Sequence, residues 1–405
     1  MKQLTFLFIF CLLAITQTFA QNTVVTMTTT KDSVHIYVKW TGAGSIFANG
    51  MELANSEATN QVIPATSDGL VILTATSDAQ LTYLSCSNNS LTALDITTCP
   101  KLTSVVCNEN HLTGLDVANC PELTNLSCSS NSISALHVAG CPKLEYLSCS
   151  DNSISALDIT HCPKLTNLSC GDNLLQVLDV SACPEMSSLS CGSNSLSILD
   201  VTTCPKLGWL SCSNNPLATL DITNCPELGW LECSKNLLTV LDVTNCKELT
   251  NMWCDKNSLT TLDVSNCPKL IQLSCNYNLL SVLDISNCPE LISLDCSNNS
   301  LSAIDTINCP VLETIGAFSQ TLTLPVVIAN GAELRIKNPI TFAGEVVEAE
   351  NISHNGTYTD GAIKWMVSGE SGEVSFRFTF GYLIDGDPGI YFSGTVTQPW
   401  TTNKK

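Results

Sequence analysis

From residue 81 onward the apolar positions recur in one order, L-x-x-L-x-C-x-x-N-x-L-x-x-L-D-[VI]-x-x-C-P-x. "LTYLSCSNNSLTALDITTCPK", beginning at Leu81, is the first copy. Eleven copies run to about Val311 at a fixed period of 21 residues. Around Leu84 and Cys86 the pattern alternates inward and outward, as a short parallel strand does. Leu81, Leu84, Cys86, Leu91, Leu94, Ile96, Cys99 and Leu102 form the expected inward set. A unit of this size cannot bury its own apolar face, so neighbouring units must stack as the coils of a solenoid. At roughly 4.8 Å between strands, eleven coils make a stack on the order of 50 Å long.

The flanks follow a different pattern. "SVHIYVKW" alternates Val34, Ile36, Val38 and Trp40 against His35, Tyr37 and Lys39. "GLVILTAT" reads as a second strand leading toward the first coil. Residues 21–80 are therefore expected to form an N-terminal β cap, because a solenoid exposes its core at both ends. The 21-residue period covers 81–312, and residues 313–405 are expected to lose it entirely. There "TLTLPVVI", "AELRIKNPITF", "GAIKWMV", "EVSFRFTFGYL" and "GIYFSGTVT" read as short strands of a small β-sandwich. Val374, Phe376, Phe378, Phe380 and Tyr382 share one face of it. "DGDPG", 385–389, reads as a hairpin turn. Ahead of all this, "MKQLTFLFIFCLLAITQTFA", 1–20, has a basic head, an apolar run too short to span a membrane and a small residue before Gln21. This is the pattern of a secretory signal peptide.

The unit resembles the leucine-rich repeat, and the asparagine at its ninth position, from Asn89 to Asn299, is the most diagnostic feature. The 21-residue length and a cysteine in place of a core leucine resemble the internalin family of secreted bacterial proteins, in its branch with a cysteine ladder. The cysteine of "CP" departs from that pattern, where a more polar residue is expected. The resemblance implies a β-rich solenoid with a parallel sheet on its concave face. It also implies an immunoglobulin-like module directly after the repeats, where the C-terminal β-sandwich falls.

Stacking turns each repeat position into a row. Two cysteine rows, Cys86 to Cys296 and Cys99 to Cys309, account for 22 of the 23 cysteines. Both rows are expected in the core, since cysteine is small and readily buried. No C-x-x-C pair is present, which argues against zinc. Parallel Cβ vectors along a row suit a disulfide poorly, and each row has an odd count. Stacked free thiols are the expectation, with cross-row bridges as the alternative. Aspartate follows the second leucine pair in ten of eleven units, His137 being the exception. The carboxylates could invite calcium, or each could accept local backbone N–H groups as Asp does in turns. The second reading is preferred, and neither a metal nor a cofactor is expected.

Function is less legible. The formal net charge is −20 and only two arginines occur, Arg335 and Arg377. Such a chain lacks the phosphate-neutralising surface that nucleic acid requires. Beyond the leader no segment is apolar and long enough to span a membrane. No histidine lies in a recognisable catalytic arrangement, and the chain is read as non-enzymatic. The third, fifth, seventh and eighth positions of each unit face outward. The fifth is serine in seven of eleven units. That small, polar face breaks in units seven to ten with Trp209, Trp230, Glu232 and Trp253, flanked by Lys235, Asp255, Lys256 and Tyr277. Exposed aromatics among polar neighbours have the composition of protein hot spots. The strip is the candidate ligand face of a secreted or surface-exposed bacterial protein that binds a protein partner. Flat indoles would also suit a carbohydrate. A structural cell-surface role, in which the tryptophans simply pack on the next coil, is the third reading.

Overall fold

The computed structural model describes residues 23–402 apart from 77, 325–326, 330–332, 343–344, 354, 360, 367–370 and 385–386. The expected signal peptide, His354 and the start of the "DGDPG" turn therefore lie outside the described residues. The chain forms two compact units, Met1–Cys204 and Pro205–Lys405. Among the described residues there is no helix in either, and none is long and apolar enough to cross a membrane.

The first unit begins with its cap. The strand Ser33–Thr41 buries Val34, Ile36 and Val38, as its alternation predicts, and leaves Trp40 half-exposed with its indole N–H on the Gly44 carbonyl at 2.8 Å. It pairs antiparallel with Gln80–Ser85, the inner strand of the first coil. The strand Thr23–Thr29 pairs antiparallel with Leu91–Asp95, the outer strand of the same coil. The cap thus covers both open edges that the first coil would otherwise present to water or to another chain. From there Ser104–Val106, Asn125–Ser127, Tyr146–Ser148, Asn167–Ser169 and Ser188–Ser190 pair in parallel, each residue opposite the one 21 positions on. All eight residues expected to face inward in the first coil are buried.

The second unit repeats this geometry. Trp209–Ser211, Trp230–Glu232, Asn251–Trp253, Gln272–Ser274 and Ser293–Asp295 pair in parallel in the same register. The expectation that the period is lost after residue 312 is corrected here. Thr314–Thr323 pairs with Ser293–Asp295 at a spacing of 21, Ala317 is fully buried where a cysteine would stand, and Gln320 takes the asparagine's place. Beyond it, Ser371–Ile384 and Asp387–Thr402 form a long antiparallel hairpin. Its second strand runs parallel to Thr314–Thr323, so the hairpin extends the sheet of the coils. Glu333–Lys337, Ala362–Met366 and Thr357–Thr359 form a separate antiparallel sheet. Val374, Phe376 and Phe378 are buried, with Trp365 packed 6.5 Å from Phe376. The side chains of Phe380 and Tyr382 lie outside the described residues.

Within each unit, a coil is tied to the one before it by its ninth residue. Asn278 shows the pattern. Its Nδ2 donates to the Cys275 carbonyl of its own coil and the Cys254 carbonyl of the preceding one, both at 3.0 Å. Its Oδ1 accepts the Leu259 N–H at 2.9 Å. The ends reuse the same chemistry. At the first coil, Asn89 exchanges hydrogen bonds of 2.7 Å with the backbone of His35 in the cap. At the last, Gln320 donates to the Cys296 carbonyl at 3.0 Å and accepts from Leu301 N–H at 2.9 Å.

All 22 described cysteines are buried thiols outside any disulfide. Thiols of the second row point at backbone carbonyls of the preceding coil, as Cys141 does toward Val117 at 3.3 Å. Burial disfavours the thiolate and pushes Cys86, Cys149 and Cys191 up to about 12.

Two outcomes follow. Asn278→Ala leaves the buried Leu259 N–H without its acceptor, at roughly 1–3 kcal/mol if wholly unsatisfied, and takes one of two amide donors from the Cys254 and Cys275 carbonyls, which keep those of Asn257 and Asn299. A loss of about 2 kcal/mol is expected, read as a lower denaturant midpoint. A change below about 0.5 kcal/mol, the range of an ordinary surface substitution, would deny the amide its role. The thiols govern alkaline stability. Their folded pKa values stand above the unfolded value of about 8.5. Their contribution is therefore complete below about pH 8.5 and is lost as pH rises toward 12. The thermal midpoint should fall steeply between those limits, and a flat profile would mean that the thiols are ionised or bridged in the fold.

Candidate functional site

The strand face of the second unit carries the break in the serine row. Trp209 and Trp230 occupy the same repeat position on successive strands and pair directly in register. Trp253 stands two positions further along the next strand, opposite Glu232. The parallel register therefore brings all three indoles into one stack. Trp209 and Trp230 lie 4.3 Å apart between ring centroids, with only 8° between their planes. Trp230 and Trp253 follow at 4.6 Å and 40°. Trp209 is exposed, while Trp230 and Trp253 are half-buried against each other. Stacked and tilted aromatic pairs of this kind add about 0.5–1.5 kcal/mol each beyond the area they bury.

Glu232 is fastened into the stack. Its Oε1 accepts the Trp230 indole N–H at 2.9 Å, and its Oε2 accepts the Ser211 hydroxyl at 2.7 Å. Asp255 accepts a hydrogen bond from the Ser234 hydroxyl. Asn251 and Gln272 join their amides at 2.9 Å beside the stack. Asp295 is held by the side-chain amide of Asn276 and the backbone N–H of Ser297. Ser211, Ser234, Asn251, Gln272 and Asn276 were not among the residues singled out from sequence. Only their cross-strand neighbours give them a role, and the serines read as part of the plain row.

The remaining candidates form an edge. Lys235, Lys256 and Tyr277 occupy the eighth position of successive coils, with φ of 53°, 54° and 50°. The left-handed region is disfavoured for residues other than glycine and worth explaining when occupied. Here the cause is the coil itself. The same position is left-handed in every coil from Asn88 to Ser319, because it turns the chain into the ladder asparagine. The turn presents these side chains to solvent, and Lys256 Nζ lies 5.6 Å from the Tyr277 ring centroid, within cation–π range. Tyr83 and Tyr146, which share the third position with Trp209 and Trp230, belong to the first unit.

The other rows are occupied locally. The Oδ1 of Asp221 accepts both the backbone N–H and the hydroxyl of Thr223, at 3.0 and 2.6 Å. Asp95, Asp158 and Asp242 do the same with the threonine two residues on. These bonds favour the carboxylate and lower its pKa. The charged position after "CP" forms cross-coil ion pairs, Lys143–Glu122 at 2.6 Å and Lys269–Glu248 at 2.5 Å.

Parallel coils of 21 residues, turned by an asparagine that bonds backward along the stack, define a leucine-rich repeat protein. Comparison with known proteins narrows the class. A family model described as LRR adjacent matches residues 344–401. Internalin I from Listeria monocytogenes serotype 4b (strain F2365) is 37% identical over 93 residues, 23% of this chain. The matched segment spans 5% of the length of Internalin I. Among solved structures, the functional domain of InlJ from Listeria monocytogenes, which includes a cysteine ladder, aligns with a TM-score of 0.51 and 26% identity. That alignment covers 79% of this chain and 90% of the InlJ domain. InlP from Listeria monocytogenes aligns with a TM-score of 0.51 over 78% of this chain and 91% of its own, a likeness of fold at 24% identity. The chain is an internalin-like leucine-rich repeat protein with a cysteine ladder.

Proposed function

We propose that this chain is a non-enzymatic, secreted or surface-exposed protein of the adhesion or host-interaction type, which binds a protein partner through the strand face of its repeats. Trp209, Trp230 and Trp253 are its anchors, with Lys235, Asp255, Lys256 and Tyr277 at their margin. Residues 21–80 and the C-terminal strands, read as an immunoglobulin-like module, cap the repeats at either end. The indole stack is the observation that carries this reading. It sits at outward positions, where the core does not need it, and the stack is rigid before any partner arrives. Rigid aromatic anchors amid polar neighbours lose little conformational entropy on binding. The likeness to internalins supports the class of function and leaves the partner open.

The test replaces all three tryptophans by alanine. Far-UV circular dichroism should stay close to wild type and unfolding should stay cooperative, with a midpoint lowered only by the lost stacking, because none of the three lies in the core between coils. Capture of the partner in a protein pull-down should be lost, since buried aromatic anchors contribute about 2 kcal/mol or more each. A captured protein that the triple variant binds with unchanged affinity would place the site elsewhere. Binding of wild type on a glycan array with no protein captured would favour a carbohydrate ligand.

A further inference from the structure

In the sequence, the tryptophans and Glu232 read as equal members of one contact surface. Their geometry separates them. Trp230 has Trp209 stacked on one face and Trp253 tilted against the other, at 4.3 and 4.6 Å. Its only hydrogen-bond donor, the indole N–H, is taken by Glu232 at 2.9 Å. Glu232 in turn is anchored by Ser211 at 2.7 Å, so each of its carboxylate oxygens already has a donor. Neither face nor N–H of Trp230 is left for a ligand, only the outer edge of the ring. A sugar ring bound to tryptophan lies flat on an open indole face and trades hydrogen bonds with nearby carboxylates or amides. At the centre of this stack the faces are covered and the carboxylate is engaged.

We infer that Glu232 is a positioning residue, which holds Trp230 edge-outward between Trp209 and Trp253, and that the resulting ridge of indole edges takes aromatic or aliphatic side chains of a protein partner. The inference rests on the binding role assigned above to the three tryptophans. Its chemistry follows from the ring quadrupole. Indole edges carry partial positive charge, and aromatic pairs favour edge-to-face contact with centroids at about 4.5–7 Å. A ridge of three edges, with hydrogen bonding confined to its flanks, suits the face of a tyrosine or phenylalanine or the side of an aliphatic chain. The Glu232 hydrogen bonds are charge-assisted and among the stronger kind. They fix the indole rotamer of Trp230 before the partner arrives, which lowers the entropy lost on binding.

One ligand-free measurement and one binding measurement test the two halves separately. Two indoles stacked nearly parallel at 4.3 Å couple their transitions and give a near-ultraviolet circular-dichroism couplet. Trp230→Phe, which removes the indole common to both pairs, should abolish it and so assign it to the stack. Glu232→Leu, which removes both acceptors, should weaken or erase it while far-UV signal and thermal midpoint stay near wild type. Glu232→Gln keeps one acceptor for the indole N–H and should largely restore it. A couplet untouched in Glu232→Leu overturns the positioning role, whatever the ligand proves to be. For the ligand class, wild type is panned against a random peptide phage library and titrated with cellohexaose and chitohexaose by tryptophan fluorescence. Selected peptides enriched in aromatic or aliphatic residues, bound roughly tenfold more weakly by Glu232→Leu, support the inference, tenfold being what loss of a charge-assisted hydrogen bond gives. Saturable quenching by either oligosaccharide, lost in Trp230→Ala, overturns the ligand class. So do selected peptides whose binding ignores both Trp230→Ala and Glu232→Leu.

Discussion

A coil of this repeat leaves backbone carbonyls unpaired where the chain turns out of its inner strand. The amide of the ninth residue meets that need and links the coil to its predecessor in the same act. Its two N–H groups reach carbonyls of both coils, and its oxygen accepts an N–H of the preceding one. The amide must reach both coils at once, so the spacing between asparagines cannot drift, and a constant 21-residue period follows. The left-handed residue before each asparagine is the strain that this turn imposes. Even the ends obey the constraint. The first asparagine bonds to the His35 backbone of the cap, and Gln320 replaces the amide at the far end. A cap is therefore more than a cover for apolar surface, since it has to present the hydrogen bonds of a missing coil.

The cysteines fill the space that this spacing leaves. A position repeated every coil meets its own kind above and below, and in these two rows that residue is cysteine. A thiol is small, apolar and indifferent to the lack of a strong acceptor. Burial holds it protonated, which removes both its nucleophilicity and its affinity for metal. Cysteine thus serves here as a core residue, and the same burial shields it from oxidants.

A uniform interior lets the outer face vary freely, and this is where the chain departs from its own repeat. Much of the architecture was legible from sequence because each row signals itself many times. The inward residues and the two cysteine rows needed only the period, and the cap strand around Val34, Ile36 and Val38 only its own alternation. What escaped was whatever changed letter but kept its role. Ala317 and Gln320 serve as the cysteine and asparagine of a further coil, yet neither matches the pattern. The indole stack was visible as a cluster, because three tryptophans interrupt a serine face. The difference between Trp230 and Glu232 was not, because it depends on which cross-strand neighbour accepts which hydrogen. The pairing of Thr314–Thr323 with the C-terminal hairpin was invisible for the same reason, since nothing local encodes a parallel partner some 75 residues away.

A stack of coils with a thiol interior makes one demand that a single titration can meet. Thiols are counted with Ellman's reagent on the native protein and again in guanidinium chloride, without reductant at either step. The account predicts almost no reaction in the native state and the full set of 22 described cysteines on unfolding. A count near zero in guanidinium would show the rows to be bridged, and rapid reaction of the native protein would show them to be exposed. Either result would contradict the structure described.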